Sequence, residues 1–135
     1  MRMKMRLSSL GLLAGVVLFA AAGCRSSGRV EIADTDNGSQ VGLQVGETLA
    51  LSLESNPTTG YRWEVSELDQ SILVETYHEY EADSPAITGS GGREIWRFQA
   101  QRPGSTTLRL EYRRPWEEGV EPIETFNVEV GVLGI

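Results

Sequence analysis

The sequence predicts an all-β domain, a sandwich of seven to eight antiparallel strands. Three observations carry the prediction. Apolar and polar residues alternate with period two over at least seven segments. Clusters of Gly, Pro, Asn and Ser separate those segments. Beyond residue 28 no stretch shows the three-to-four-residue apolar spacing of an amphipathic helix. A chain of 135 residues fits one domain and leaves no room for a second sizeable core.

The segments follow in chain order. Residues 1–23, MRMKMRLSSLGLLAGVVLFAAAG, have a basic start (Arg2, Lys4, Arg6) and then an apolar run from Leu10 to Ala22. The run is too short to span a bilayer comfortably and suits the core of a signal peptide. Ala21-Ala22-Gly23-Cys24 resembles the lipobox of bacterial lipoproteins, which implies a lipidated Cys24 at the new N-terminus. An ordinary secretory signal with an incidental Cys is the other reading. Arg25, where an Asp would stand in the retained class, resembles the outer-membrane-sorted kind. The expected address is therefore the cell envelope, on the outer membrane facing the periplasm or at the surface in a Gram-negative cell. Residues 24–28 read as a short polar tether and residues 29–135 as the domain.

Within the domain, Val30 and Ile32 open a first strand and Asp34–Ser39 is a turn. Val41, Leu43 and Val45 alternate with polar or small residues, as do Leu49, Leu51 and Leu53. Tyr61, Trp63 and Val65 form the next strand, Ile72 to Glu81 a long β-branched and aromatic one, and Trp96, Phe98 and Ala100 another. Leu108, Leu110 and Tyr112 follow, and Phe126, Val128 and Val130 close the pattern. Residues 66–71 could make a single helical turn. Trp63, Trp96, Phe98, Leu51, Leu108, Leu110 and Val128 are the expected core.

Composition excludes most chemistries. One Cys allows neither an internal disulfide nor a Cys-rich zinc site, and one His allows no two-His metal motif. Cys24 has only His78 as a possible catalytic partner, and that residue lies on a predicted strand, at its surface or partly buried. The leader holds three of the 12 basic residues and none of the 19 acidic ones. The remaining 112 residues therefore carry nine basic against 19 acidic, a net charge of −10. That balance excludes nucleic acid and a polybasic membrane patch, so membrane attachment falls to the lipid. Asp34–Ser39 fails as a calcium loop, because its Gly comes one place early and Val45 stands where the bidentate acid belongs. Glu117-Glu118 and Glu79/Glu81 read as solvated acidic surface. No metal and no cofactor is expected.

Three segments between the patterned strands are loops: Ser55–Gly60, Asp83–Gly92 and Arg113–Pro122. In a sandwich these connections fall at one end. In the first, Pro57 fixes its own φ and Gly60 can adopt positive φ, so Asn56-Pro57-Thr58-Thr59-Gly60 is tight and pre-shaped. The second ends Gly89-Ser90-Gly91-Gly92, where a partner backbone can approach closely. No helix pattern or Lys-Ser/Thr follows, so it is no phosphate cradle. The third, Arg113-Arg114-Pro115-Trp116-Glu117, sets a Trp in polar surroundings. Singly, each is an ordinary turn, connection or sandwich cap; in this order and spacing they say more.

NPTTGYRW, GSGGREIW and RRPWE resemble the three signature loops of the chagasin family, inhibitors of papain-like cysteine peptidases. The resemblance runs from about Val30 to Val132. It implies an immunoglobulin-like sandwich whose loops enter the peptidase cleft, a reversible tight-binding inhibitor, and no enzymatic activity. Asn56 and Pro57 would shape the first loop, with Thr58, Thr59 and Gly60 against the catalytic centre. Gly89, Gly91 and Gly92 would flank one side through backbone, and Arg114, Pro115 and Trp116 would lie on the primed side. A papain-like cysteine peptidase is the implied partner and a monomer the expected free state. The alternative is an envelope-anchored binding or assembly module for a non-peptidase partner.

Overall fold

The computed structural model describes residues 24–26, 28–84 and 87–134; the expected leader, residues 1–23, lies outside them. Among the described residues there are nine strands: β1 (Cys24–Ser26), β2 (Arg29–Ala33), β3 (Gln40–Gln44), β4 (Thr48–Ser55), β5 (Arg62–Glu67), β6 (Leu73–Ala82), β7 (Gly92–Ala100), β8 (Gly104–Arg113) and β9 (Glu124–Leu133). They form two sheets, ordered β1-β2-β4-β7-β6 and β3-β9-β8-β5. Alternation sets which face goes in. Along β7, Glu94, Trp96, Phe98 and Ala100 are buried, while Arg93, Ile95 and Arg97 between them are only half-buried. Leu49, Leu51 and Leu53 of the first sheet meet Leu108, Leu110, Phe126, Val128 and Val130 of the second in one core. All seven expected core residues are buried.

Two pairings depart from the all-antiparallel expectation: β2 with β4 and β3 with β9 are parallel. The cause is parity. Each connection reverses the chain, so strands an even number of steps apart run the same way, even when they become sheet neighbours. Two smaller differences lie at the element ends. Cys24–Ser26 is a strand on β2 and not a free tether, with Cys24 opposite Glu31. Residues 66–71 make no helical turn. Strand β5 runs on to Glu67, and the chain reverses at a turn in which the Ile72 and Leu73 N–H groups donate to the Asp69 carbonyl.

The same parity places the loops. Connections that leave β2, β4, β6 and β8 all emerge at one end of the sandwich, and the others at the opposite end. The register fixes that end: Ser55 of β4 and Ala82 of β6 both pair with Gly92 of β7.

Candidate functional site

The first loop is a single tight turn whose geometry follows from its sequence. Asn56 is extended and its Oδ1 accepts from the Thr58 N–H (3.2 Å) and the Thr58 hydroxyl (2.6 Å). Pro57 supplies a φ already suited to the following 3₁₀ turn, Pro57–Thr59. Thr59 N–H and Oγ1 both donate to the Asn56 carbonyl, at 3.1 and 2.7 Å. Gly60 ends the turn at φ +88°, and its N–H returns to the Pro57 carbonyl. The local donors are thus consumed, and Thr58 and Thr59 stand exposed at the tip.

The second loop closes through Asp83 N–H to the Gly91 carbonyl (3.0 Å), with Gly89 and Gly91 both at positive φ. Gly89 is exposed and Gly91 half-exposed. Gly92 differs. It is buried at the start of β7, and a Cβ there would lie 2.2 Å from the Glu81 carbonyl oxygen. This glycine answers to close packing inside the sheet, while Gly89 and Gly91 are the more exposed pair. The third loop turns at Arg114–Glu117, with the Glu117 N–H on the Arg114 carbonyl. It holds Pro115 exposed and Trp116 67% exposed.

The structure brings the three loops together. Asn56 Nδ2 donates to the Gly89 carbonyl (3.3 Å), joining the first loop to the second. Arg114 Nε donates to the Thr59 carbonyl (3.1 Å) and its guanidinium lies 4.5 Å over the Tyr61 ring, joining the third to the first. Trp116 rests against Gly60, where a Cβ would stand 2.4 Å from its Cη2. Below, the Tyr112 hydroxyl accepts from the Asn56 N–H (2.9 Å), and its ring packs on Tyr61 and Trp63.

Two supporting residues were not singled out from the sequence. Tyr112 looked like one more alternating strand residue. Glu94 carried a signal, a charge in phase with Trp96 and Phe98 on an inward face. At the same end, Asp34 accepts from the Glu54 N–H (3.0 Å) and pairs with Arg93. Partial burial pushes the Asp34 carboxyl up. The hydrogen bonds from Glu54 and Arg93, its own N–H and the Arg93 charge outweigh that and hold it below its usual value.

The three loops thus form one pre-shaped edge, joined by direct contacts. Among the described residues no group of three His, Cys, Asp or Glu side chains is placed to hold a metal.

Comparison with known proteins agrees with this form. The profile of the family described as Chagasin family peptidase inhibitor I42 matches residues 42–130. The chain is 31% identical over 105 residues to Amoebiasin-1 of Entamoeba histolytica, covering 76% of this chain and 99% of that one. It is 28% identical over 102 residues to Chagasin of Trypanosoma cruzi, covering 73% and 93%. The crystal structure of the cysteine protease inhibitor EhICP2 from Entamoeba histolytica superposes with a TM-score of 0.71 at 21% identity, covering 78% of this chain and 96% of that one. At that identity it speaks for the fold.

Proposed function

We infer the function from one premise: this chain belongs to the chagasin family of peptidase inhibitors. It is a reversible inhibitor of papain-like cysteine peptidases that seats its three loops in the active-site cleft. The observation that carries this reading is the direct bonding of the three loops into one edge: Asn56 to Gly89, Arg114 to Thr59, and Trp116 on Gly60.

The geometry supports inhibition without cleavage. A peptidase needs an extended peptide with its carbonyl in line with the nucleophile. Residues 57–59 are instead coiled in a 3₁₀ turn whose amides are already bonded internally. Thr58 and Thr59 fill the space before the catalytic Cys. Gly89 and Gly91 let backbone approach backbone on one flank. Trp116 offers a large, stiff anchor on the other, and Arg114 and Pro115 hold it there. Because the loops are braced before binding, little ordering entropy is lost on association.

The anchor belongs to the same reading. The AAGC junction supports lipidation of Cys24 and residence in the cell envelope, with the domain acting as a monomer. Cys24 pairs with Glu31, which pairs with Ala50, five residues short of Ser55 at the loop end. At roughly 3.3 Å per residue, the attachment point lies about 17 Å below the loops, leaving them free.

The experiment is titration of papain with the purified protein, alongside membrane fractionation of wild type and Cys24→Ser. Stoichiometric reversible inhibition is expected, with wild type in membranes and the variant released or unprocessed. Absence of inhibition would favour a non-peptidase partner for the same edge. A wholly soluble wild type with unmodified Cys24 would refute the anchor.

A further inference from the structure

Beneath the first loop lies a buried carboxylate that the inhibitory contacts do not use. Glu94 of β7 is 5% exposed. Its Oε2 accepts from the Ser55 hydroxyl (2.7 Å) and from the Trp63 N–H (3.0 Å). Its Oε1 lies 2.9 Å from His78 Nε2, and a carboxylate only accepts, so the ring presents its hydrogen there. The His78 ring is itself held flat on Trp96, with centroids 4.2 Å apart and planes 10° apart.

The position of these partners matters more than their number. Ser55 is the last residue of β4, in the first sheet, and Trp63 sits in β5, in the second. Between them runs the first loop, which crosses from one sheet to the other. One oxygen of Glu94 therefore ties the entry stem and the exit stem of that loop together across the gap between the sheets. A buried carboxylate is costly unless fully paired, and here three donors satisfy it. An apolar residue in phase with Trp96 and Phe98 would pack the core but could not bind both stems.

We propose that Glu94 is the positioning residue of the first loop, fixing the separation of Ser55 and Trp63 so that Thr58 and Thr59 are presented in binding geometry, with His78 holding the second carboxylate oxygen in place. This rests on the inhibitory reading of the loop edge and adds the residue that sets its central element.

The test uses the full-length protein purified in detergent, with Glu94→Gln, Glu94→Leu and Ser55→Ala. Inhibition of papain, the thermal midpoint and hydrogen exchange at the Thr59 and Gly60 amides are measured for each. Gln keeps an oxygen for both stem donors and an amide N–H for the other His78 tautomer. Its inhibition constant should stay within about 3-fold of wild type, with loop exchange unchanged. Leu should inhibit about 30-fold more weakly at a temperature where it is fully folded, and exchange faster at Thr59 and Gly60. Ser55→Ala, which removes one stem bond only, should fall between them, and it decides the matter if the Leu variant does not fold. A folded Leu variant as potent as wild type, a Gln variant as weak as Leu, or a Ser55→Ala variant with unaltered inhibition and exchange would overturn the proposal. If wild type itself fails to inhibit papain, the functional reading falls, and the exchange comparison still decides whether Glu94 positions the loop.

Discussion

Trp116 lies so close to Gly60 that the space for a Cβ at residue 60 is already occupied by the indole edge, 2.4 Å away. The glycine therefore serves two ends: it adopts the φ of +88° that ends the turn, and it leaves the surface on which the anchor of the third loop rests. Gly60→Ala should carry strain of about 1 kcal/mol from its backbone angle and must also displace the indole. We expect inhibition of papain to weaken by about tenfold or more, with a small loss in thermal midpoint. Equal potency would show that the indole has no fixed seat.

Trp116→Ala removes the anchor but little of the fold, since the side chain is 67% exposed. Binding should weaken by about 1–3 kcal/mol. Folding stability should move by less than about 0.5 kcal/mol. Paired calorimetric titration and denaturant unfolding read both quantities, and a large stability loss with unchanged affinity would reverse the assignment.

Phe98 of β7 is fully buried, at 0% exposure, in the core between the two sheets. Phe98→Ala should cost about 3–5 kcal/mol by denaturant unfolding. With no second Cys for an internal disulfide, the core carries the fold, and that cost is a large part of a typical total of about 5–15 kcal/mol. A cost below about 1 kcal/mol would contradict the packing described.

Asp34 brings an acid-sensitive brace to the loop end. Its carboxyl is held below the ordinary value, so the folded state binds its proton less readily than the unfolded chain does. The stabilisation is present above the unfolded value of 3.8 and is lost as the pH falls through the folded value. Asp34→Asn should therefore flatten the acid limb of the stability–pH curve below about pH 4 and leave the neutral region nearly parallel. An unchanged acid limb would show that the bonds from the Glu54 N–H and Arg93 together contribute nothing.

Strand existence was legible because alternation is local: Leu49, Leu51, Leu53 and Trp96, Phe98, Ala100 declare their inward faces without reference to partners. The parallel pairings of β2 with β4 and β3 with β9 were not legible, because pairing depends on which strands become neighbours across the whole fold. The short strand at Cys24–Ser26 has no apolar alternation and forms by adding to an available edge. In the site, Asn56, Pro57 and Gly60 declared a tight turn through their own backbone preferences. The burial of Gly92 was not legible, since a glycine needed for close packing and one displayed to a partner look alike in sequence. Glu94 broke the apolar phase of its strand, but only the folded arrangement shows that its partners flank the first loop.

The central claim is that the loops fill a peptidase cleft and form no bond to its nucleophile. The most direct measurement is the dissociation constant of this protein for papain in which the catalytic Cys is replaced by Ala, set beside its inhibition constant for the active enzyme. The two should agree within about tenfold, and the first loop should be recovered intact from the active complex. Loss of binding to the inactive peptidase, or scission between Thr59 and Gly60, would contradict it.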